Sequence, residues 1–190
     1  MANKSLLRRG FKAQAERLAS EYREKLKIHP CAPMCAFKLA EALSIPVYSA
    51  LEFVADATEV ALLSGSNGVD SEWSALTMKT KVGNRIIIHN TFHSELRQQS
   101  NIMHELAHVI CKHEVDMAKY NFAVPFGMRE FDPIQEEEAK CLGATLQISR
   151  PCLLWARKRS LSVQEISEHF KASSDMVTYR LNMTGLNKKG

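Results

Sequence analysis

No run of about 18 apolar residues free of charge occurs in the chain, so nothing in it reads as a membrane-spanning helix. Residues 1–29 are charged throughout and lack the apolar stretch and cleavage site of a secretory signal. Cysteine is scarce and odd in number, five in 190 residues. Without an export signal, that count argues against a disulfide framework and predicts reduced thiols in a cytoplasm. Cys31 and Cys35 lie close together, but no second Cys/His pair has zinc-finger spacing, so both are read as ordinary thiols. The basic excess is only +4, without the concentrated basic patch of a nucleic-acid binder. Repeats and low-complexity stretches are absent too. What is present is globular: 45% hydrophobic and 24% charged residues, enough to bury a core without staples.

The spacing of apolar residues orders the chain. Leu7, Phe11, Ala15, Leu18, Tyr22 and Leu26 recur at steps of three or four, predicting a helix over 6–28 that Pro30 and Pro33 end. Phe37, Leu39, Ala40 and Leu43 suggest a second, short helix. Ile45-Pro46-Val47-Tyr48 reads as an edge strand, because proline removes a ladder donor. A helix over 49–64 and a loop over 64–68 follow. Residues 73–80 and 85–89 have strand character and flank Val82-Gly83-Asn84, which predicts a β-hairpin. Residues 94–113 form the strongest helix: Leu96, Met103, Leu106, Ala107 and Ile110 line one face, and Ile102 and Val109 widen it toward burial on nearly all sides. An irregular stretch over 114–133 precedes a helix at about 134–148, and two short helices lie within 160–186. The expected class is α+β, with a small sheet and its hairpin packed on the 94–113 helix. The expected division is a domain over 1–150 and a helical, helix-turn-helix-like segment over 151–190.

His104-Glu105-Leu106-Ala107-His108 is an H-E-x-x-H pattern on that central helix. Four residues are slightly more than one turn, so the two imidazoles leave the same face within reach of one ion. Glu105 is one step round from His104, placed to take a proton from water at the metal rather than to bind the metal. A catalytic zinc needs a third protein ligand. In the helix beginning near 134, Ala139, Leu142, Gly143 and Leu146 centre on one face. At about 100° per residue Glu136 lies roughly 70° from that centre and Glu138 roughly 90°, with Glu137 nearly opposite. Glu136 is therefore the candidate ligand, and Glu137 reads as a solvated carboxylate at a helix N-terminus. Tyr120, His113 and His89 are unranked candidates for stabilising an oxyanion.

The residues His89-Asn90, Arg97-Gln98 and 102–110 resemble the metallopeptidase segment of the ImmA/IrrE family. Residues 136–146 are similar to that family's E-x-E-A-[ND]-x-F-A-x-x-L-L stretch. The similarity covers roughly residues 10–185, including Arg9-Gly10-Phe11-Lys12 and the run over 37–47. The resemblance implies a zincin-like fold of the gluzincin kind, with one zinc ion and Glu136 as third ligand to His104 and His108. It also implies proteolysis of a regulatory protein, such as a helix-turn-helix repressor or a toxin–antitoxin-type regulator. Three departures stand out: Lys140 for Asn or Asp, Leu142-Gly143 for Phe-Ala, and Gln147-Ile148-Ser149 for Leu-Met-Pro. The first leaves open which residue orients a metal ligand.

Ile166, Phe170, Met176, Val177 and Leu181 give the C-terminal segment helix-turn-helix periodicity, with Ser173 or Ser174 capping its second helix. That helix offers only Arg180, next to no Asn or Gln set for reading base edges. Packing against the catalytic domain is favoured over DNA contact. Two other classes compete with the zinc endopeptidase: a non-proteolytic regulatory binding module, and a DNA-binding regulator built on the C-terminal segment.

Overall fold

The computed structural model describes residues 6–54, 56–65, 71, 73–80, 82–113 and 132–187. Most of the loop predicted over 64–68, and nearly all of the irregular stretch over 114–133 with Tyr120, lie outside them.

Apolar residues four apart bury one face of helix α1 (Phe11–Lys25): Phe11, Ala15 and Ala19, followed on the same face by Arg23. The helix is shorter than predicted because Gly10 (φ 85°) and Lys27 (φ 55°) take left-handed conformations at its two ends. Helix α2 (Ala36–Ala42) stands where the short second helix was expected. The single helix expected over 49–64 is instead two pieces, because two side chains each start a new turn. Ser49 and Glu52 form a reciprocal capping box around a 3-10 turn at Ala50–Glu52. Asp56 then accepts from the Thr58 amide at 2.7 Å and opens α3 (Ala57–Ser64).

Strands β1 (Val47–Ser49), β2 (Ala75–Lys79) and β3 (Arg85–His89) make one sheet in the order β1-β3-β2. The predicted hairpin is present: β2 and β3 are antiparallel with Thr77 opposite Ile87, and Gly83 (φ 87°) supplies the left-handed turn residue. β1 joins the other side of β3 in parallel, an edge strand as its preceding proline requires. Alternation then sorts the side chains. Leu76 and Ile88, directly opposite each other, share a cluster with Ala50, Leu63 and Trp73. Ile87, one residue along, joins the main core on the other face, with Ile102, Met103 and Leu106 of α4 (Glu95–Ile110).

Helix α5 (Pro133–Gln147) packs along α4 and opens with two start signals, Asp132 as cap and Pro133 in the first turn. A further helix, α6 (Arg150–Lys158), was not anticipated from the sequence, because only Cys152, Leu153 and Ala156 are buried in its nine residues. Helices α7 (Val163–Phe170) and α8 (Ser174–Thr184) are the expected pair, with Ser173 capping α8. Of their predicted core, Ile166, Phe170, Val177 and Leu181 are buried and Met176 is half-buried. Arg180 points inward, 1% exposed, donating to the Ile148 carbonyl at 2.8 Å and pairing with Glu16. It is not available on a DNA-facing surface.

The described residues thus form an α+β protein of eight α-helices and a three-stranded sheet. None of their helices is long and apolar enough to cross a membrane. Two polar clamps fix α5, the helix that carries Glu136. Arg23 of α1 donates to the carbonyls of Leu146 and Gln147 at 3.0 and 3.1 Å, where α5 leaves those groups without helical partners. Gln147, fully buried, accepts from Ser100 of α4 at 3.1 Å and donates to the Lys171 carbonyl, while the Ser173 amide donates to Ser100 Oγ at 2.8 Å. The departure at Gln147 therefore ties the α7–α8 turn to the central helix.

Candidate metal centre

His104 and His108 project from one face of α4 and meet Nε2 to Nε2 at 3.1 Å. Glu136, in the first turns of α5, brings its carboxylate 3.2 Å from His104 Nε2 and 3.1 Å from His108 Nε2. The ligand atoms of these three residues all lie within 4.8 Å of one another. The donor set fits zinc, which takes imidazole nitrogen and carboxylate oxygen. The spacing fits as well: bonds of roughly 2.0–2.1 Å to a tetrahedral ion set ligand separations of roughly 3.3–3.4 Å. Glu136 Oε1 is buried and, apart from His108 Nε2 at 3.1 Å, meets no donor among the described residues, as expected of an oxygen reserved for an ion. The side chain of His108 is buried, whereas those of His104 and Glu136 are 27% and 38% exposed, so the cluster opens on one side.

The electrostatics are those of a site held together by mutual attraction. Burial works to lower the His104 pKa, but its hydrogen bond to Glu136 and the nearby Glu105 charge raise it overall. Burial works to raise the Glu136 carboxyl, and the hydrogen bonds from His104 and His108 outweigh it and hold the group at about 2. Glu105, 7% exposed, does not join the triangle. Its Oε2 accepts from Thr77 Oγ1 at 2.7 Å, so the central residue of β2 fixes the carboxylate.

Gly143 sets how closely α5 approaches. A Cβ there would lie 3.0 Å from the Met103 carbonyl oxygen and 3.1 Å from His104 Cα. The departure from alanine at this position lets the Glu136 helix press against the backbone of a candidate ligand.

A family model described as the IrrE N-terminal-like domain, Peptidase M78, matches residues 64–182. The chain belongs to this peptidase family. No curated protein matches the chain. The span shared with the IrrE N-terminal-like family takes in Thr77, the H-E-x-x-H helix and Glu136, and leaves α1, α2 and β1 outside.

Beside His104 this family member has an open cleft of about 570 Å³, lined on one wall by Ser100, Asn101 and Lys140 and on the other by Ser173, Asp175, Met176 and Tyr179. Helix α8 therefore forms part of the cleft, a role its sequence did not announce. Tyr179 donates to Glu137 at 2.9 Å, and Lys140 sits over the Tyr179 ring at 4.7 Å. Glu137 is thus held by α8 rather than left solvated as expected. Burial, reinforced by nearby Cys141 and Glu137, raises the Tyr179 pKa and keeps its hydroxyl protonated.

The oxyanion candidates fare differently. His89 is buried edge-on to Phe37, with its Nδ1 unpartnered among the described residues. His113 lies behind the centre, its Nδ1 3.0 Å from His108 Nδ1, on the ring edge away from Glu136. It gets there because α4 ends in a Schellman turn. Lys112 (φ 57°) is left-handed, at a cost of about 1–2 kcal/mol for a non-glycine residue. The His113 amide then returns to the His108 carbonyl at 3.0 Å.

Proposed function

We propose that the chain is a zinc endopeptidase that cleaves a regulatory protein, a helix-turn-helix repressor or a toxin–antitoxin-type regulator. His104, His108 and Glu136 hold the ion, and Glu105 is the general base. The observation that carries this reading is the convergence of three donor atoms within 4.8 Å at the mouth of an open cleft, next to a buried carboxylate. A bound zinc ion supplies Lewis acidity, acidifying water and polarising the scissile carbonyl.

The chain's own residues do the rest. Glu105 accepts the proton of the attacking water as oxygen adds to the carbonyl carbon, then passes it to the amine nitrogen as the C–N bond breaks. Thr77 keeps the Glu105 carboxylate aimed during both transfers. Asn101 and Lys140 offer hydrogen-bond donors along the cleft to a peptide backbone, and Tyr179, whose hydroxyl is given to Glu137, contributes its ring to the wall.

The arrangement of sheet and central helix supports a zincin-like fold. We divide the chain into a peptidase domain over 1–150 and a helical segment over 151–190, because the C-terminal helices share their own apolar cluster. That segment acts as a cleft wall rather than a DNA reader. The buried thiols Cys141 and Cys152 suit a reducing compartment, and we place the protein in the cytoplasm.

The decisive comparison is wild type against Glu105→Gln, assayed for zinc content and for cleavage of candidate repressors. The variant should retain one zinc and lose cleavage. Undiminished cleavage by Glu105→Gln would remove the base from its role, and a wild type that binds no zinc at neutral pH would end the proposal.

A further inference from the structure

A chain of polar contacts runs from the back of the candidate centre to the N-terminal segment. His108 Nδ1 lies 3.0 Å from His113 Nδ1, and His113 Nε2 lies 3.2 Å from Glu138 Oε2. Arg8 grips the Glu138 carboxylate with two nitrogens, Nε on Oε1 and Nη2 on Oε2, the latter at 3.0 Å. The side chains of His113 and Glu138 are 9% and 4% exposed, so their contact is shielded from water, while Arg8 at the outer end is 66% exposed.

A ligand role for His108 constrains the protons along this relay. His108 turns Nε2 toward His104 and Glu136, so a ligand role requires a lone pair on that nitrogen and the proton on Nδ1. The Nδ1–H can only donate to His113 if His113 Nδ1 is the acceptor. The proton of His113 is therefore on Nε2, where the Glu138 carboxylate accepts it, and Arg8 keeps that carboxylate in place.

We propose that His113 and Glu138 are positioning residues that hold His108 in the tautomer and ring orientation needed to bind the metal, with Arg8 anchoring the relay. The inference rests on the reading that His104, His108 and Glu136 form the metal centre. It assigns Glu138 a function distinct from that of its neighbour Glu136. It also answers the loss of the family's Asn or Asp at Lys140: the outer partner of a ligand comes here from the turn that ends α4. Outer contacts of this kind are worth about 10–100-fold in metal affinity.

The test measures zinc affinity by competition with a chromophoric chelator, alongside thermal unfolding of each metal-free protein. His113→Phe should weaken zinc binding about 10–100-fold. His113→Gln, whose amide oxygen can still accept from His108 Nδ1, should recover most of that loss. Such rescue separates positioning from mere packing. Nitrogen-15 spectra of the zinc-loaded wild type should show His108 protonated on Nδ1 and His113 on Nε2, a readout that needs no variant to fold. If wild type binds zinc and His108→Ala does not, the centre stands. Wild-type affinity in His113→Phe, or His113 protonated on Nδ1, would then overturn this inference alone. A wild type that binds no zinc would overturn both.

Discussion

Gly143→Ala sets two effects of opposite sign against each other. Gly143 lies inside α5, where alanine would gain roughly 0.8–1 kcal/mol of helix propensity. The added methyl would meet the Met103 carbonyl oxygen at 3.0 Å, His104 Cα at 3.1 Å and the His104 amide nitrogen at 3.2 Å. All three are backbone atoms of a buried helix, so none can swing aside. Ordinary contact distances of roughly 3.5–4.0 Å require the two helices to part by roughly half an ångström. Overpacking of that kind costs roughly 1–3 kcal/mol, so the net change should be a destabilisation of roughly 0–2 kcal/mol. The metal site should suffer more, because the wedge enters between His104 and the helix carrying Glu136. Ligand distances tolerate only about 0.2 Å of error. Zinc affinity should therefore fall about tenfold, while the metal-free melting temperature drops by no more than about 8 °C, at roughly 2–4 °C per kcal/mol for a chain of this size. Chelator competition and thermal unfolding measure the two. A variant that melts higher than wild type and binds zinc equally well would show that propensity alone matters and that the close approach is incidental.

Three further outcomes follow from the same geometry. In the metal-free protein Glu136 is depressed from 4.5 to about 2, so its stabilising effect is complete above pH 4.5 and is lost as pH falls toward 2. His104 is raised above 6.5, so its contribution is complete below pH 6.5 and lost as pH rises through the raised value; zinc, which needs the neutral ring, should bind more tightly at pH 8 than at pH 6. Equal zinc affinities at the two values would contradict this. Thr77→Val should lower kcat about tenfold and leave zinc affinity unchanged, since a hydrogen bond to a charged group is worth roughly 1.5–3 kcal/mol and this one reaches Glu105, the proposed base, rather than a proposed ligand; a fall in zinc content instead would assign Thr77 to the ligands. Gln147→Leu should cost about 1–3 kcal/mol, because the Lys171 carbonyl loses its buried donor and Ser100 its acceptor; an unchanged melting temperature would mean the clamp contributes nothing.

The parts of the fold legible in the sequence are those written in local spacing. The four-residue step from His104 to His108 puts both rings on one face whatever surrounds them, and the angular position of Glu136 beside Ala139 and Leu142 follows from helix geometry alone. The hairpin announced itself because Gly83 supplies a backbone conformation that its neighbours avoid. What stayed hidden depends on partners far along the chain. Glu138 reads as one of three similar carboxylates until Arg8 and His113 are beside it. Arg180 reads as a surface cation until Glu16 and the Ile148 carbonyl enclose it. Tyr179 gives no sign of lining the cleft, because its position depends on how α8 packs back on α5. The helix over 49–64 failed for a local reason that spacing does not weigh: Ser49 and Asp56 both favour starting a turn over continuing one.

The two arginines on the N-terminal side draw a boundary that motif matching does not. A fragment trimmed to 64–182 keeps both histidines, Glu105 and Glu136, yet discards Arg8 and Arg23. The last carbonyls of α5 would then face a bare interior, and Glu138 would keep its negative charge with no counter-ion beside His113. The smallest piece expected to hold His104, His108 and Glu136 in register is therefore longer, by at least the first helix and the residues just before it, than the stretch by which its kinship is recognised.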